Sequence, residues 1–268
     1  MSIVTLAGFI TWVLLAPGNA ALPLKPPKHG GVYVIAHRGV HDGIPENTLP
    51  AYEKAIEIGA DFIEIDVRTS KDGRFVSIHN AGVDAYTRDA EGPVASFTFD
   101  QLRALDIGSR VGPKWKETRI PAFEEILDLC KGRIGIYLDL KNAPIPELAR
   151  IVKTRGMEHE VVWYMGGSMA PLLRAECPEC IEMPDPGPEM FLPGLLSTVK
   201  PRIVATTWKH CSQVFVEKCH AAGALVFSDD DGPETWPLLL ERGVDGIQTD
   251  HPEELIRLLD ARGKSREK

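Results

Sequence analysis

Four short stretches of this chain place charged or titratable side chains where apolar, strand-like runs end. "VYVIAHRG" closes on His37 and Arg38, and "DFIEIDV" carries Glu64 and Asp66. "RFVSIHN" closes on His79 and Asn80, and "IGIYLDLK" on Asp139 and Lys141. Residues two apart on a strand face the same side. Glu64 and Asp66 therefore point together, as do Asp139 and Lys141. Ile63, Ile65, Leu138 and Leu140 alternate to the opposite, packed face. Taken singly, each pair has an ordinary reading. A strand-end Glu-x-Asp is commonly a solvated rim, a strand-end histidine is commonly structural, and Asp139-x-Lys141 can be a plain salt bridge. What gives them weight is that all four pairs recur at equivalent positions. Three converging carboxylates repel one another, and buried charge is costly unless paired or metal-bound. One divalent cation resolves this, and an all-oxygen set suits Mg²⁺ or Ca²⁺ better than zinc. Two histidines titrating near neutrality can divide acid and base work. Arg38 and Lys141 can stabilise negative charge on a reacting group.

Such residues need a frame that brings strand ends to one rim. Strand-like runs alternate with helical patterns from Val32 to the end, as in "TLPAYEKAIEIG", "PAFEEILDLC", "IPELARIVKTRG" and "PEELIRLLDARG". That alternation implies βα units around a parallel sheet. About eight or nine strand candidates in this length favour a closed (β/α)8 barrel of TIM type over an open sheet. In such a barrel the active groups sit at the C-terminal strand ends. "RFVSIH" is taken as the third strand of the series. The Pro-rich stretch from Cys177 to Lys200 is poorly readable.

The 268 residues suffice for one such domain, expected over residues 32–262, with a frayed tail at 263–268. A net charge of −8 argues against a nucleic-acid partner. The uncharged run Ile3–Ala16, followed by "PGNAA", reads as a secretory signal peptide over residues 1–20, although no Lys or Arg precedes it. The expected location is secreted or periplasmic, with an uncleaved membrane anchor as the alternative. Residues 21–31, with "PLKPPKHGG", read as an extended linker. Five cysteines leave at least one unpaired. Cys177-Pro-Glu-Cys180 has half of a zinc spacing, but no second pair follows. A local disulfide or two thiols is the better reading.

"AHRG", "PENT", "GADFIEIDV" and "KDGRFVSIH", in this order and spacing, resemble the glycerophosphodiester phosphodiesterase family. "TRIPAFEEIL" and "GVDGIQTDHPEEL" extend the likeness over nearly the whole chain after Val32. The resemblance implies a TIM barrel and metal-dependent hydrolysis of a small glycerophosphodiester to an alcohol and sn-glycerol 3-phosphate. It implies His37 and His79 as the catalytic histidines, and Glu64, Asp66 and Asp139 as ligands of one Mg²⁺ or Ca²⁺. Arg38 and Lys141 match cations that meet the phosphate. Glu46 and Asn47 belong to "PENT", and one of them would pair with Arg38 or hold a histidine. Two departures stand out. Asn80 replaces an aspartate usual after the second histidine, and "VFSDDDGPETW" replaces a Trp-Thr-x-Asn run near the glycerol pocket. A phospholipase D-like activity on lysophospholipid or sphingomyelin is the alternative, and a catalytically inactive binding barrel is the alternative of another class.

Overall fold

The alternating runs fold into a barrel. A computed structural model describes residues 23–266. Its first strands are β1 (Tyr33–Ala36), β2 (Phe62–Thr69), β3 (Phe75–Ser77), β4 (Gly135–Leu140) and β5 (Val161–Gly166). They are followed by β6 (Ile181–Asp185), β7 (Ile203–Thr207), β8 (Leu225–Asp229) and β9 (Gly246–Thr249). Eight of these are ordered β6-β5-β4-β2-β1-β9-β8-β7, and β6 lies against β7 to bring the barrel almost to closure. The hydrogen-bonded neighbours in that order are parallel. The Pro-rich stretch that could not be read supplies β6 and the short helix α6 (Leu192–Thr198).

The strands alternate as their side chains demand. Val34, Ile63, Ile65, Leu138 and Val226 pack outward under the helices. Tyr33, Ile35, Phe62, Tyr137 and Phe227 fill the interior. Tyr33, Phe62 and Phe227 form the floor, with ring centroids 5.4–5.9 Å apart. Two glycines make room for those rings. A Cβ on Gly135 would stand 2.4 Å from the Phe62 ring, and one on Gly246 would stand 2.7 Å from Phe227. One pleat above this apolar floor come Glu64 and Asp229, so strand parity alone delivers polar groups to the upper layer.

One expected strand is misplaced. β3 is not a barrel strand: it returns antiparallel along the far end of β2, pairing Val67 with Ser77 and Thr69 with Phe75. The physical reason lies in its connection. Residues 70–74 make a tight turn closed by Ser70 N–H to Arg74 O at 2.8 Å, with Gly73 at φ 79°. A parallel partner would need a crossover of a dozen or more residues. From β3 to α3 (Phe123–Cys130) the chain makes an excursion with its own small core of Val76, Ile78, Tyr86, Leu102 and Ile120.

The segment read as a linker is tied down. Leu24 packs against the lower interior, the Lys25 carbonyl accepts from Tyr33 Oη at 3.0 Å, and Lys28 N–H donates to Asp61 at 3.0 Å. It covers the N-terminal end of the barrel, opposite the strand-end rim. The last helix, α9 (Pro252–Arg266), continues into the stretch expected to fray. Cys177 and Cys180 form a disulfide, and Cys130, Cys211 and Cys219 are buried thiols. The signal-peptide segment lies outside the described residues. No helix among the described residues is long and apolar enough to cross a membrane.

Candidate active site

Register builds the carboxylate group. Asp66 of β2 lies beside Asp139 of β4, and Glu64 sits one pleat below on the same inward face. Oxygens of Glu64, Asp66 and Asp139 fall within 4.8 Å of one another. Glu64 and Asp66 are buried and Asp139 partly so. Burial, then the charges of Asp66 and Asp139, push the Glu64 carboxyl well above its ordinary range, against Arg38 N–H and Lys141. Burial also raises Asp139, with Lys141 opposing.

Lys141 stands 2.5 Å from Asp139 Oδ2 and 3.1 Å from Asp66 Oδ1. Burial works against its charge, and the two aspartates more than restore it. Even so, one ammonium among three carboxylates leaves a deficit of positive charge. The donor set is all oxygen, within reach of one ion and short of counter-charge, so it fits a hard divalent cation.

Arg38 turns sharply off the end of β1 with φ 54°, a left-handed conformation uncommon for a long side chain. That turn aims its N–H at Glu64 Oε2, 2.8 Å away. Its guanidinium meets Glu46 Oε1 at 3.2 Å, as the pairing of "HRG" with "PENT" implied. Its Nε is buried without a hydrogen-bond partner, 3.8 Å from Asp66 Oδ2. Asn47, also left-handed at φ 55°, braces the opposite side. Its Nδ2 donates to Asp66 Oδ2 at 2.7 Å, and its Oδ1 accepts from the Tyr52 and Ser77 hydroxyls at 2.9 and 2.8 Å. Tyr52 and Ser77 were not distinguished as site supports in the sequence, and Asn47, read as one of two residues that would pair with Arg38 or hold a histidine, braces Asp66 instead. They belong to a buried network that fixes Asp66.

Both histidines flank β2, by different routes. His37 follows β1, the parallel neighbour of β2. His79 arrives through the β2–β3 hairpin, where Ile78 N–H donates to Asp66 O at 3.0 Å. Arg68 anchors the His79 carbonyl with Nε and Nη2 at 3.0 and 2.6 Å. The His79 ring pairs through Nδ1 with Asn80 Oδ1 at 2.9 Å. Asparagine thus supplies the orienting oxygen without a charge.

His37 Nδ1 pairs with Asp250 Oδ1 at 2.6 Å, and His41 Nε2 reaches the same oxygen at 3.0 Å. Hydrogen bonds from the two histidines hold the Asp250 carboxyl far below its ordinary range. Asp250 escaped the sequence reading, where "GVDGIQTDHPEEL" served only to extend the family likeness. The signal was there: Gln248 and Asp250 repeat the two-residue spacing of Glu64 and Asp66. His41, four residues after His37, belongs to this cluster as well. Asp229 was missed for the same reason, inside a stretch noted only as a departure.

Catalytic-type groups gathered at the C-terminal rim of an eight-stranded parallel barrel define a TIM-barrel enzyme. The family model for the glycerophosphoryl diester phosphodiesterase family matches residues 37–164. A glycerophosphodiester phosphodiesterase of Caldanaerobacter subterraneus subsp. tengcongensis is 31% identical over 242 residues, covering 84% of this chain and 97% of that one. One from Bacillus altitudinis is 37% identical over 112 residues, covering 41% of this chain and 45% of its own. Among solved structures, a glycerophosphodiester phosphodiesterase from Agrobacterium tumefaciens superposes with a TM-score of 0.74 at 26% identity, covering 86% and 99% of the two chains. An Oleispira antarctica phosphodiesterase, solved with the product sn-glycerol-3-phosphate, superposes at 0.76 with 23% identity over 85% and 96%, a likeness of fold. The chain belongs to the glycerophosphodiester phosphodiesterase family and is an enzyme of that family.

Proposed function

We propose that the protein hydrolyses glycerophosphodiesters to an alcohol and sn-glycerol 3-phosphate, with one divalent cation and two histidines. The observation that carries the reading is the convergence of Glu64, Asp66 and Asp139 within 4.8 Å, on a strand flanked by His37 and His79. The carboxylates would hold Mg²⁺ or Ca²⁺, which when bound neutralises phosphate charge and acidifies a nucleophilic oxygen.

The remaining work falls to the protein. Arg38 and Lys141 face the phosphate position; the unpartnered Nε of Arg38 is a free donor for an anionic oxygen. His37, with Nδ1–H donated to Asp250, keeps Nε2 as the basic nitrogen and takes the proton of the nucleophile. His79, with Nδ1–H donated to Asn80, gives a proton from Nε2 to the leaving oxygen. The nucleophile is either the substrate's glycerol 2-hydroxyl, through a cyclic phosphate, or water. Glycerophosphocholine offered to the full chain in a coupled assay tests the reading. Choline and glycerol 3-phosphate should appear, and a chelator should stop both; turnover indifferent to chelator would refute the metal.

We also propose that the mature protein is exported. The apolar run near its start and the Cys177–Cys180 disulfide both support an oxidising compartment. N-terminal sequencing of native protein should return a start near Ala21 or Leu22; Met1 or Ser2 would favour a retained anchor or a cytoplasmic form.

A further inference from the structure

The proposed reaction needs one partner of Asp250, which is His37, and leaves His41 without a task. The loop after β1 is nonetheless built to bring His41 back. Gly39, at φ 79°, turns the chain against α1 (Leu49–Glu57), where a Cβ would stand 2.8 Å from the Ala51 backbone. Val40 N–H then donates to Ala51 O at 3.0 Å. His41 returns beside His37, the two rings perpendicular with centroids 6.3 Å apart. His37 offers Nδ1 and His41 offers Nε2, and both reach Asp250 Oδ1, at 2.6 and 3.0 Å. The two ring nitrogens and the carboxylate oxygen lie within 4.8 Å of one another. Ligand atoms around a tetrahedral zinc, at bonds of about 2.0–2.1 Å, stand roughly 3.3 Å apart. The half-exposed Asp250 carboxylate has only to withdraw by about 0.5 Å to seat such an ion. Two imidazoles and one carboxylate suit zinc, whereas the all-oxygen set of Glu64, Asp66 and Asp139 suits a hard ion. The two sets share no residue.

The surroundings supply independent observations. His37 and Asp250 line a cavity of about 390 Å³ together with Asp229, Asp230, Asp231 and Gln248, and no lysine or arginine lines it. Among the described residues none donates a hydrogen bond to the Asp229 carboxylate, and no lysine or arginine comes within 4.0 Å of it. His37 faces it favourably, and Asp185, Asp139 and Asp230 unfavourably; burial with those aspartates pushes its carboxyl up to about 7. This wall is short of positive charge, which a divalent ion supplies. Gln248 is only 9% exposed, and its Oε1 is buried with no hydrogen-bond partner. A buried acceptor left open is costly, and a water completing the shell of an ion carries the missing donor.

We infer that His37, His41 and Asp250 form a second metal site, which takes zinc rather than Mg²⁺ or Ca²⁺, and that zinc bound there holds the enzyme inactive. The inhibition rests on the phosphodiesterase reading above; the binding rests on the geometry alone. To ligate, His37 presents the Nδ1 lone pair. The proton it carries there moves to Nε2 through water, so the ring gains and loses none. Nε2, the basic nitrogen of the proposed reaction, is then occupied by a proton and takes none from the nucleophile. His41 makes the opposite exchange, from Nε2 to Nδ1, and Asp250 binds as the carboxylate it already is.

Zinc chloride is titrated calorimetrically into the full chain at saturating Mg²⁺ or Ca²⁺, with turnover of glycerophosphocholine followed alongside. One zinc should bind, and zinc at about ten times its Kd should cut turnover roughly tenfold. Cobalt chloride in its place should give the visible bands of a four-coordinate, nitrogen-bound ion; their absence from wild type overturns the site without recourse to a variant. His41→Ala should weaken zinc binding by about 100-fold or more, since losing even an outer partner of a ligand costs 10–100-fold. It should also lift the inhibition, each protein being measured against its own zinc-free rate. Its Tm should still respond to Mg²⁺ or Ca²⁺, which reports an intact fold and carboxylate triad. Zinc binding that survives His41→Ala and is lost in Glu64→Gln would place the ion on the triad and overturn the inference. Zinc bound at the histidines with turnover unchanged would overturn the inhibition. If no diester is cleaved, the hydrolytic reading fails, and calorimetry with the cobalt bands still decides the site.

Discussion

His37 and Asp250 come from opposite ends of the chain and meet at 2.6 Å, the ring Nδ1 on a carboxylate oxygen that also takes His41. In the proposed mechanism this bond would fix which ring nitrogen carries the proton and leave Nε2 for the substrate. Asp250 is half-exposed, so its removal should cost little stability. Asp250→Ala should lower kcat about 10²-fold with little change in Tm, and Asp250→Asn, which keeps an oxygen for the bond, roughly tenfold. Stopped or steady-state turnover checks this; kcat within twofold of wild type in both variants would remove Asp250 from the mechanism.

The carboxylate triad makes a prediction about stability as well as turnover. Without a cation, Glu64, Asp66 and Asp139 repel one another in a buried site. Mg²⁺ or Ca²⁺ should raise the Tm of chelated protein, since binding the folded state at about 100 times Kd is worth roughly 2.7 kcal/mol. Glu64→Gln should lose that response while its metal-free form melts higher than metal-free wild type. Differential scanning calorimetry with and without the ion decides. A Tm that ignores both ions in wild type contradicts a metal at this place.

The two histidines should each prove costly to lose. His37→Ala and His79→Ala should reduce kcat by at least about 10²-fold, and the double variant by less than the product, since groups acting together are not additive. His210 and His220 are sound controls. His220 pairs with Asp245 at 2.8 Å, and neither lines the His37 cavity. His41 and His251 are unsuitable as controls, because one shares Asp250 and the other lines that cavity. Activity surviving His79→Ala, while His210→Ala abolished it, would reverse the assignment.

Much of this site could be read from parity. Glu64, Asp66, Asp139 and Lys141 announce a shared face because their apolar neighbours alternate with them, and the barrel keeps that face inward. The same rule applied to "FSD" and "GIQTD" would have reached Asp229, Gln248 and Asp250, but the first was noted only as a departure from the family pattern and the second only as part of the likeness. The place of His79 beside the carboxylates was legible and its route there was not. The Lys71-Asp72-Gly73 turn is too short for a crossover, so the histidine comes to the carboxylate cluster on a hairpin rather than a barrel strand. The Asn47 bridge was illegible in another way. Its partners Asp66, Tyr52 and Ser77 lie on three different elements, and only folding brings them to one amide.

Asp229 gives a pH test of the unanswered carboxylate. Its folded-state value is about 7, whereas an aspartate in an unfolded chain titrates near 3.9. Between those values the folded protein binds the proton and the unfolded chain does not. Stability contributed by this group is therefore present below about pH 4 and is lost as pH rises through 7. Asp229→Asn removes the ionisation in both states. Titrations remote from Asp229 are shared by the two proteins, so the difference in Tm, variant minus wild type, reads this group together with its coupling to His37, Asp139, Asp185 and Asp230. In metal-free protein that difference should grow in the variant's favour from pH 5 to pH 8, by at least about 3 °C for a chain of this size. The direction opposes that of Asp250, whose lowered value adds stability above its unfolded value and loses it only in acid. A Tm difference flat across this range would mean that the Asp229 charge is answered in solution, and the case for an open acceptor in the barrel mouth would fall with it.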